Sequence, residues 1–314
     1  MAQRRGAPAG RLSVLLAGIM LACAPGGPLT PPPGDAPGET VAGAGGHRLA
    51  LSVWQPEDPQ AVIVGVHGFG DYGASTFAAA AGHWAAEGIT TYAYDQRGFG
   101  RNPSRGFWPG AEALVADLRA VVAGIRAENP CLPLAVVGHS MGGGVALAAA
   151  GEGLEADGLV LAAPAIWGGR NLNPLYRLLA WGAAVIAPEK RYTGEGLVEI
   201  QASDNRAVLE ALGRDPLYLA PPSAREFLGM IRVTDLAHGA AGRVAMPALL
   251  LIGAKDEIVP NRTVEKVFAR LAGPRQVVRY PDGWHLLFRD LQAPRVWADV
   301  ADWVKRLPRP ACEG

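Results

Sequence analysis

The chain is poor in charge. Only 18% of its 314 residues are charged, and 29 basic residues are balanced by 29 acidic ones. A nucleic-acid partner would need a basic face to meet phosphate, so that class of partner is excluded. Cysteine is scarce as well. The three cysteines (Cys23, Cys131 and Cys312) and six histidines never fall at metal-ligand spacing, which argues against a structural zinc site. No metal or organic cofactor is expected. Periodicity is also lacking: 41 Gly and 26 Pro are scattered between apolar runs without a repeat, so neither a collagen-like chain nor wholesale disorder describes it. What is plentiful is apolar surface. Hydrophobic residues make 49% of a length that fits one large α/β domain or two small ones and can bury a sizeable core.

The amino-terminal end reads as an address. Met1 to Arg11 carries only basic charge (Arg4, Arg5, Arg11 and the terminus), and the apolar run Leu12–Ala22 follows, ending at Cys23. This is the pattern of a secretory signal. The run is too short to span a ~30 Å hydrocarbon core as a permanent helix. Met20-Leu-Ala-Cys23 resembles a bacterial lipoprotein signal, in which the cysteine carries the lipid; an ordinary cleaved signal with an incidental cysteine is the other reading. The next residues are rich in Pro and Gly and suit an extended spacer. The expected organisation is a signal peptide at 1–22, a lipidated Cys23 and tether at 23–46, and a globular domain at 47–314. The chain is thus expected to be exported and lipid-anchored on the periplasmic or outer side of a bacterial membrane.

Within the domain, His47–Gln55 alternates like an antiparallel edge strand. Short unalternating apolar runs then recur at 61–67, 90–95, 134–138, 158–163, 248–253 and 276–280, as buried strands of a parallel sheet do. Helical patterns lie between or beyond them at 76–87, 112–128, 141–152, 263–272 and 294–306. Strands alternating with helices predict a doubly wound α/β sheet, with any ligand at the carboxyl ends of the strands. The long stretch between Ala163 and Ala248 holds no buried strand and reads as a helical lid, with a cap insertion at about 165–240. Its apolar residues suit an acyl chain, and Leu178 and Trp181 are expected to meet one.

The chemistry-bearing residues fall where that topology wants them. Gly138-His-Ser-Met-Gly142 follows the strand ending at 138 and precedes a helix, which is G-x-S-x-G on a strand–turn–helix. Ser140 is therefore the candidate nucleophile. In this fold the acid and the base follow the serine in that order. Asp256 comes just after the strand at 248–253, and His285 just after the strand at 276–280. Glu257 and Asp282 are the rival acids. Two backbone N–H groups are needed for the oxyanion: Met141, after the nucleophile, and Phe69, in the glycine turn His67-Gly-Phe-Gly70 that closes an early strand. His67 reads as a brace for that turn rather than a second base.

At this point the residues resemble a known family. HGFGDYG (67–73), YDQRGFGRN (94–102), GHSMGG (138–143), GAKDEIV (253–259) and GWHLLFRD (283–290) are similar to the motifs of the α/β-hydrolase superfamily, and within it of the monoacylglycerol lipase and lysophospholipase group. The resemblance runs from about His47 to Leu307. It implies an α/β-hydrolase fold with a helical cap inserted after the sixth strand, a triad of Ser140, Asp256 and His285, and oxyanion donors Phe69 and Met141. It further implies hydrolysis of a small-molecule lipid ester through an acyl-enzyme. A prolyl-aminopeptidase-type peptidase is the alternative enzyme, and a catalytically silent binding lipoprotein is the alternative outside catalysis. A last expectation concerns the remaining cysteines. Cys131 precedes a strand at the amino edge of the sheet, and the final helix must carry Cys312 to the same edge. The two are either bridged or left as separate thiols.

Overall fold

The computed structural model describes residues 38–191, 200–219 and 221–311. The signal segment, Cys23, most of the tether and Cys312 lie outside the described residues. Eight strands form one sheet in the order β1-β2-β4-β3-β5-β6-β7-β8. They are β1 (Thr40–Ala42), β2 (Arg48–Trp54), β3 (Ala61–Val66), β4 (Ile89–Tyr94), β5 (Leu134–His139), β6 (Gly158–Ala162), β7 (Ala248–Gly253) and β8 (Arg275–Tyr280). β1 and β2 pair antiparallel, as do β2 and β4, and every later pairing is parallel. This is the mostly parallel α/β-hydrolase sheet, with its cap following β6.

The apolar runs are unalternating because both faces of the sheet are covered, but the pleat still sorts them. Val62, Val64, Leu134, Val136, Leu159, Leu161 and Leu250 point into one core, shared with α2 (Ala111–Glu128), α3 (Met141–Ala150) and α7 (Asn261–Phe268). Their neighbours Ile63, Ala135, Val137, Val160, Leu249 and Leu251 point into the other, against α1 (Gly73–Ala86) and α8 (Ala293–Lys305). The period of two decides which helix each residue meets. β8 lies at the sheet edge and is mostly exposed or half-buried.

One boundary is corrected. The sequence ends the tether at residue 46, whereas Thr40–Ala42 form β1 and pair with Arg48–Ala50. The buried Asp117 carboxylate accepts the Ala44 amide at 2.9 Å, so this stretch is tied to α2. The cap holds α4 (Pro174–Ile186), α5 (Arg206–Arg214) and α6 (Ala224–Ala240). α4 buries only Ala180 and Ala184 and exposes Leu175, Tyr176, Leu178, Leu179 and Ile186. α6 lies close to α3 and begins with a reciprocal cap, in which Ser223 Oγ accepts the Glu226 amide and Glu226 accepts the Ser223 amide. Among the described residues no helix is long and apolar enough to cross a membrane.

Candidate active site

Strand order places the chemistry. β3 lies between β4 and β5, so the direction of winding changes there and the turns after β3 and β5 open a crevice at their carboxyl ends. Val66 pairs with Gly138, which sets the Gly68–Phe69 turn beside Ser140. Ser140 carries φ 52° and ψ −119°, a conformation rare outside glycine. The surrounding structure holds it there: its amide donates to Ala162 O at 3.0 Å, and its carbonyl accepts the Gly144 and Ala165 amides. The turn also fixes Gly142, where an added Cβ would lie 2.1 Å from the Val66 carbonyl oxygen.

The structure brings Ser140, Asp256 and His285 together. His285 Nδ1 lies 2.9 Å from Asp256 Oδ2, and His285 Nε2 lies 3.0 Å from Ser140 Oγ. An ionised carboxylate can only accept, so Nδ1 carries the proton and Nε2 is left as the acceptor for the serine hydroxyl. The other Asp256 oxygen accepts the Ile258 and Val259 amides at 2.8 and 3.0 Å. Burial pushes the Asp256 carboxyl up, but the hydrogen bonds from His285 and these amides outweigh it and hold it below its ordinary value. The rival acids are engaged elsewhere. Glu257 accepts the Gln201 amide, and Asp282 pairs with Lys255 Nζ at 2.8 Å.

Phe69 and Met141 line the same cavity as Ser140 and His285. Met141 opens α3, where the first amides have no intrahelical acceptor and the positive end of the helix dipole lies. Among the described residues neither amide donates a hydrogen bond. His67 is wholly buried and braces the turn: its Nε2 accepts the Gln96 amide at 2.8 Å, so Nδ1–H donates to Gly68 O. Burial lowers its pKa, and the ring stays neutral.

Several site residues were given no role in the sequence although its motifs contain them. His139, inside GHSMGG, donates Nε2–H to the His285 carbonyl at 2.9 Å. Arg289 and Asp290 lie inside GWHLLFRD. Arg289 pairs with the buried Asp71 at 2.5 Å and reaches Ser75 Oγ at 3.0 Å. Asp290 accepts the Trp284 amide at 2.7 Å and the Ser203 hydroxyl at 2.6 Å.

Above Ser140 the cap encloses a cavity of about 620 Å³. Its apolar wall includes Phe69, Trp167, Leu209, Leu212, Phe227, Met230 and Ile231. A second, mostly apolar cavity of about 530 Å³ shares Leu172, Pro222, Phe227 and Ile231 with it. Leu178 and Trp181 line neither, which corrects the expectation made for them: on α4 it is Tyr176, Leu179, Ala180 and Ala183 that face the second cavity. Among the described residues no group of three or more His, Cys, Asp or Glu is placed to hold a metal ion.

Comparison with known proteins agrees with this geometry. Residues 57–292 match the model of the Hydrolase_4 family, described as Serine aminopeptidase, S33. A monoacylglycerol lipase of Mycolicibacterium smegmatis is 30% identical over 84% of this chain and 95% of its own. A phospholipase of Bacillus subtilis is 26% identical over 76% of this chain and 92% of its own. Among solved structures, a monoacylglycerol lipase of Paleococcus ferrophilus superposes with a TM-score of 0.68 at 22% identity, covering 82% of this chain and 98% of that one. Fold, site and kinship converge: the chain belongs to the Hydrolase_4 family of α/β-hydrolases and is a serine hydrolase of carboxylic esters.

Proposed function

We propose that this enzyme cleaves monoacyl esters with an uncharged polyol head, monoacylglycerols foremost, by way of an acyl-enzyme. His285 Nε2 takes the Ser140 proton as Oγ attacks the ester carbonyl, and Asp256 holds the imidazole tautomer and stabilises the imidazolium. The Phe69 and Met141 amides stabilise the tetrahedral oxyanion. His285 then protonates the departing alkoxide, and water, activated by the same imidazole, releases the fatty acid.

The observation that carries the substrate reading is the charge inside the cavity. Its described lining contains two full charges, Asp71 and Arg289, and they are spent on each other. Burial pushes the Asp71 carboxyl up, but Arg289 and the hydrogen bonds from Ser75 and the Tyr72 amide together hold it below its ordinary value. The other Asp71 oxygen accepts the Tyr72 amide at 2.9 Å. A substrate amine, which an aminopeptidase must hold, finds no spare carboxylate there. A phosphodiester head finds no spare cation. A neutral head with hydroxyls loses nothing, and the apolar wall takes the acyl chain. The monoacylglycerol lipase relative supports the same reading.

Ser140→Ala should abolish hydrolysis of monooleoylglycerol by at least about a thousandfold while leaving the circular dichroism spectrum unchanged. Asp256→Asn should be similarly severe through the wrong tautomer, and Glu257→Gln mild. A panel of monooleoylglycerol, lysophosphatidylcholine and proline p-nitroanilide should rank in that order. A faster anilide would establish the peptidase reading instead.

The address is part of the same proposal. A lipidated Cys23 on a Pro/Gly tether would hold the cap near lipid, where such substrates reside. Cys131 is disulfide-bonded, which suits an exported domain in an oxidising compartment.

A further inference from the structure

The backbone of His285 is held from two sides that are far apart in the chain. Its carbonyl accepts Nε2–H of His139, from the turn that also carries Ser140. Its amide, with that of Leu286, converges on a single acceptor, the carbonyl of Ala202, at 3.1 and 3.0 Å. Ala202 is a cap residue and lines the substrate cavity.

The next cap residue strengthens the link. Ser203 is 1% exposed, and its hydroxyl donates to Asp290 Oδ1 at 2.6 Å. Asp290 Oδ2 accepts the amide of Trp284, the residue before His285. Asn205 Nδ2 donates to the Arg289 carbonyl, and Asp204 accepts the Leu291 amide. Gln201 reaches the other catalytic loop, donating its amide to Glu257 beside Asp256. In one stretch of five residues the cap is therefore bonded to both loops that carry the base and the acid.

We propose that the cap segment Gln201–Asn205 holds His285 in register with Ser140, with Ser203 and Asp290 as the positioning residues that join cap to base. A cap displaced from the body would draw the Ala202 carbonyl off the His285 amide while His139 still held the carbonyl of the same residue. The imidazole would turn away from Oγ. Proton transfer is then coupled to cap position: a substrate that packs against the cap wall stabilises the arrangement that deprotonates Ser140. The inference rests on His285 being the base, as proposed above.

The test compares Ser203→Ala, which cuts the link from Asp290 to the cap together with the local bond from the Asn205 amide, with Ser223→Ala, which removes the helix cap of α6 elsewhere in the same cap. Ser203→Ala should lower kcat for a soluble short-chain ester about ten- to a hundredfold with KM little changed, since small misplacement of a catalytic group costs that much. The downfield proton resonance of the His285–Asp256 hydrogen bond should shift or broaden with it. Ser223→Ala should lose stability but keep kcat and the resonance. Asp290→Asn, whose amide can still accept from Trp284 and donate to Ser203, should retain much more activity than Asp290→Ala. If Ser203→Ala kept wild-type kcat and resonance while Ser140→Ala was dead, the coupling would be overturned and the triad would stand. Turnover by Ser140→Ala would instead overturn the reading beneath it.

Discussion

His139 stands between the two residues that make the nucleophile turn, and its own chemistry is suppressed by where it lies. Its Nε2–H is committed to the His285 carbonyl, and its Nδ1 has no hydrogen-bond partner among the described residues. Burial, with a smaller contribution from the neighbouring His285, lowers its pKa to about 3. A protonated ring would gain an N–H with nothing to receive it. The folded pKa lies below the ordinary value of 6.5, so between about pH 6.5 and 3 the unfolded chain binds a proton that the folded chain refuses. Stability therefore falls as pH falls through that window. From pH 7 to 5 this one residue should cost about 2 kcal/mol, and the equally buried His67 acts in the same direction. Urea unfolding at the two pH values checks it: His139→Asn, which keeps a donor for the His285 carbonyl, should lose about 2 kcal/mol less than wild type on going to pH 5. Equal losses in both proteins would show that His139 is protonated in the fold.

At the scale of elements, the cap divides its apolar residues between two tasks. α5 has no buried residue of its own, yet Leu209 and Leu212 form part of the wall above Ser140. α4 leaves Leu178 60% exposed on its outer side. Replacing Leu212 by Asp should weaken long-chain esters by about ten- to a hundredfold in kcat/KM, the value of one buried leucine, and leave acetate esters nearly untouched. Leu178→Asp should affect neither chain length. Similar losses for both variants on acetate and oleate would mean that the cap residues act only through the fold. This division was not legible in the sequence, because Asn173–Ala187 is apolar on more than one face and period alone cannot say which face meets a cavity. The body was legible for the opposite reason. Runs such as Ala61–Val66 and Ala248–Gly253 are buried on both sides, so their composition alone marks them as central strands. Thr40–Ala42 escaped notice because three residues beside Gly and Pro have no pattern of their own; pairing with β2 makes them a strand. The site divides likewise. Ser140, Asp256 and His285 follow strands in a fixed order, whereas Ala202 reaches His285 and Ser203 reaches Asp290 through tertiary contacts that no local pattern records.

For the whole molecule, the proposed address turns on which chemistry each cysteine undertakes. Cys131 is disulfide-bonded, and the two other cysteines lie outside the described residues. We propose Cys312 as its partner. Cys131 stands shortly before β5, at the amino edge of the sheet and away from Ser140. The chain leaving α8 reaches that edge: Arg309 donates to Gln60 Oε1 at 2.8 Å just before β3, and the Val62 amide, two residues after Gln60, donates to the Pro133 carbonyl. Three residues beyond Arg309 stands Cys312. The alternative partner, Cys23, is the proposed lipid site, and the two roles exclude each other, because a sulfur bonded as a thioether to lipid cannot also form a disulfide. One measurement therefore decides both. Non-reducing peptide mapping of protein recovered from the membrane fraction should yield a Cys131 peptide linked to a Cys312 peptide, together with a Cys23 peptide carrying the mass of acyl chains. Cys23→Ser should move the enzyme to the soluble fraction with the same linked pair. A Cys131–Cys23 linkage would overturn the anchor and the tail bridge together, and leave Cys312 as the free thiol.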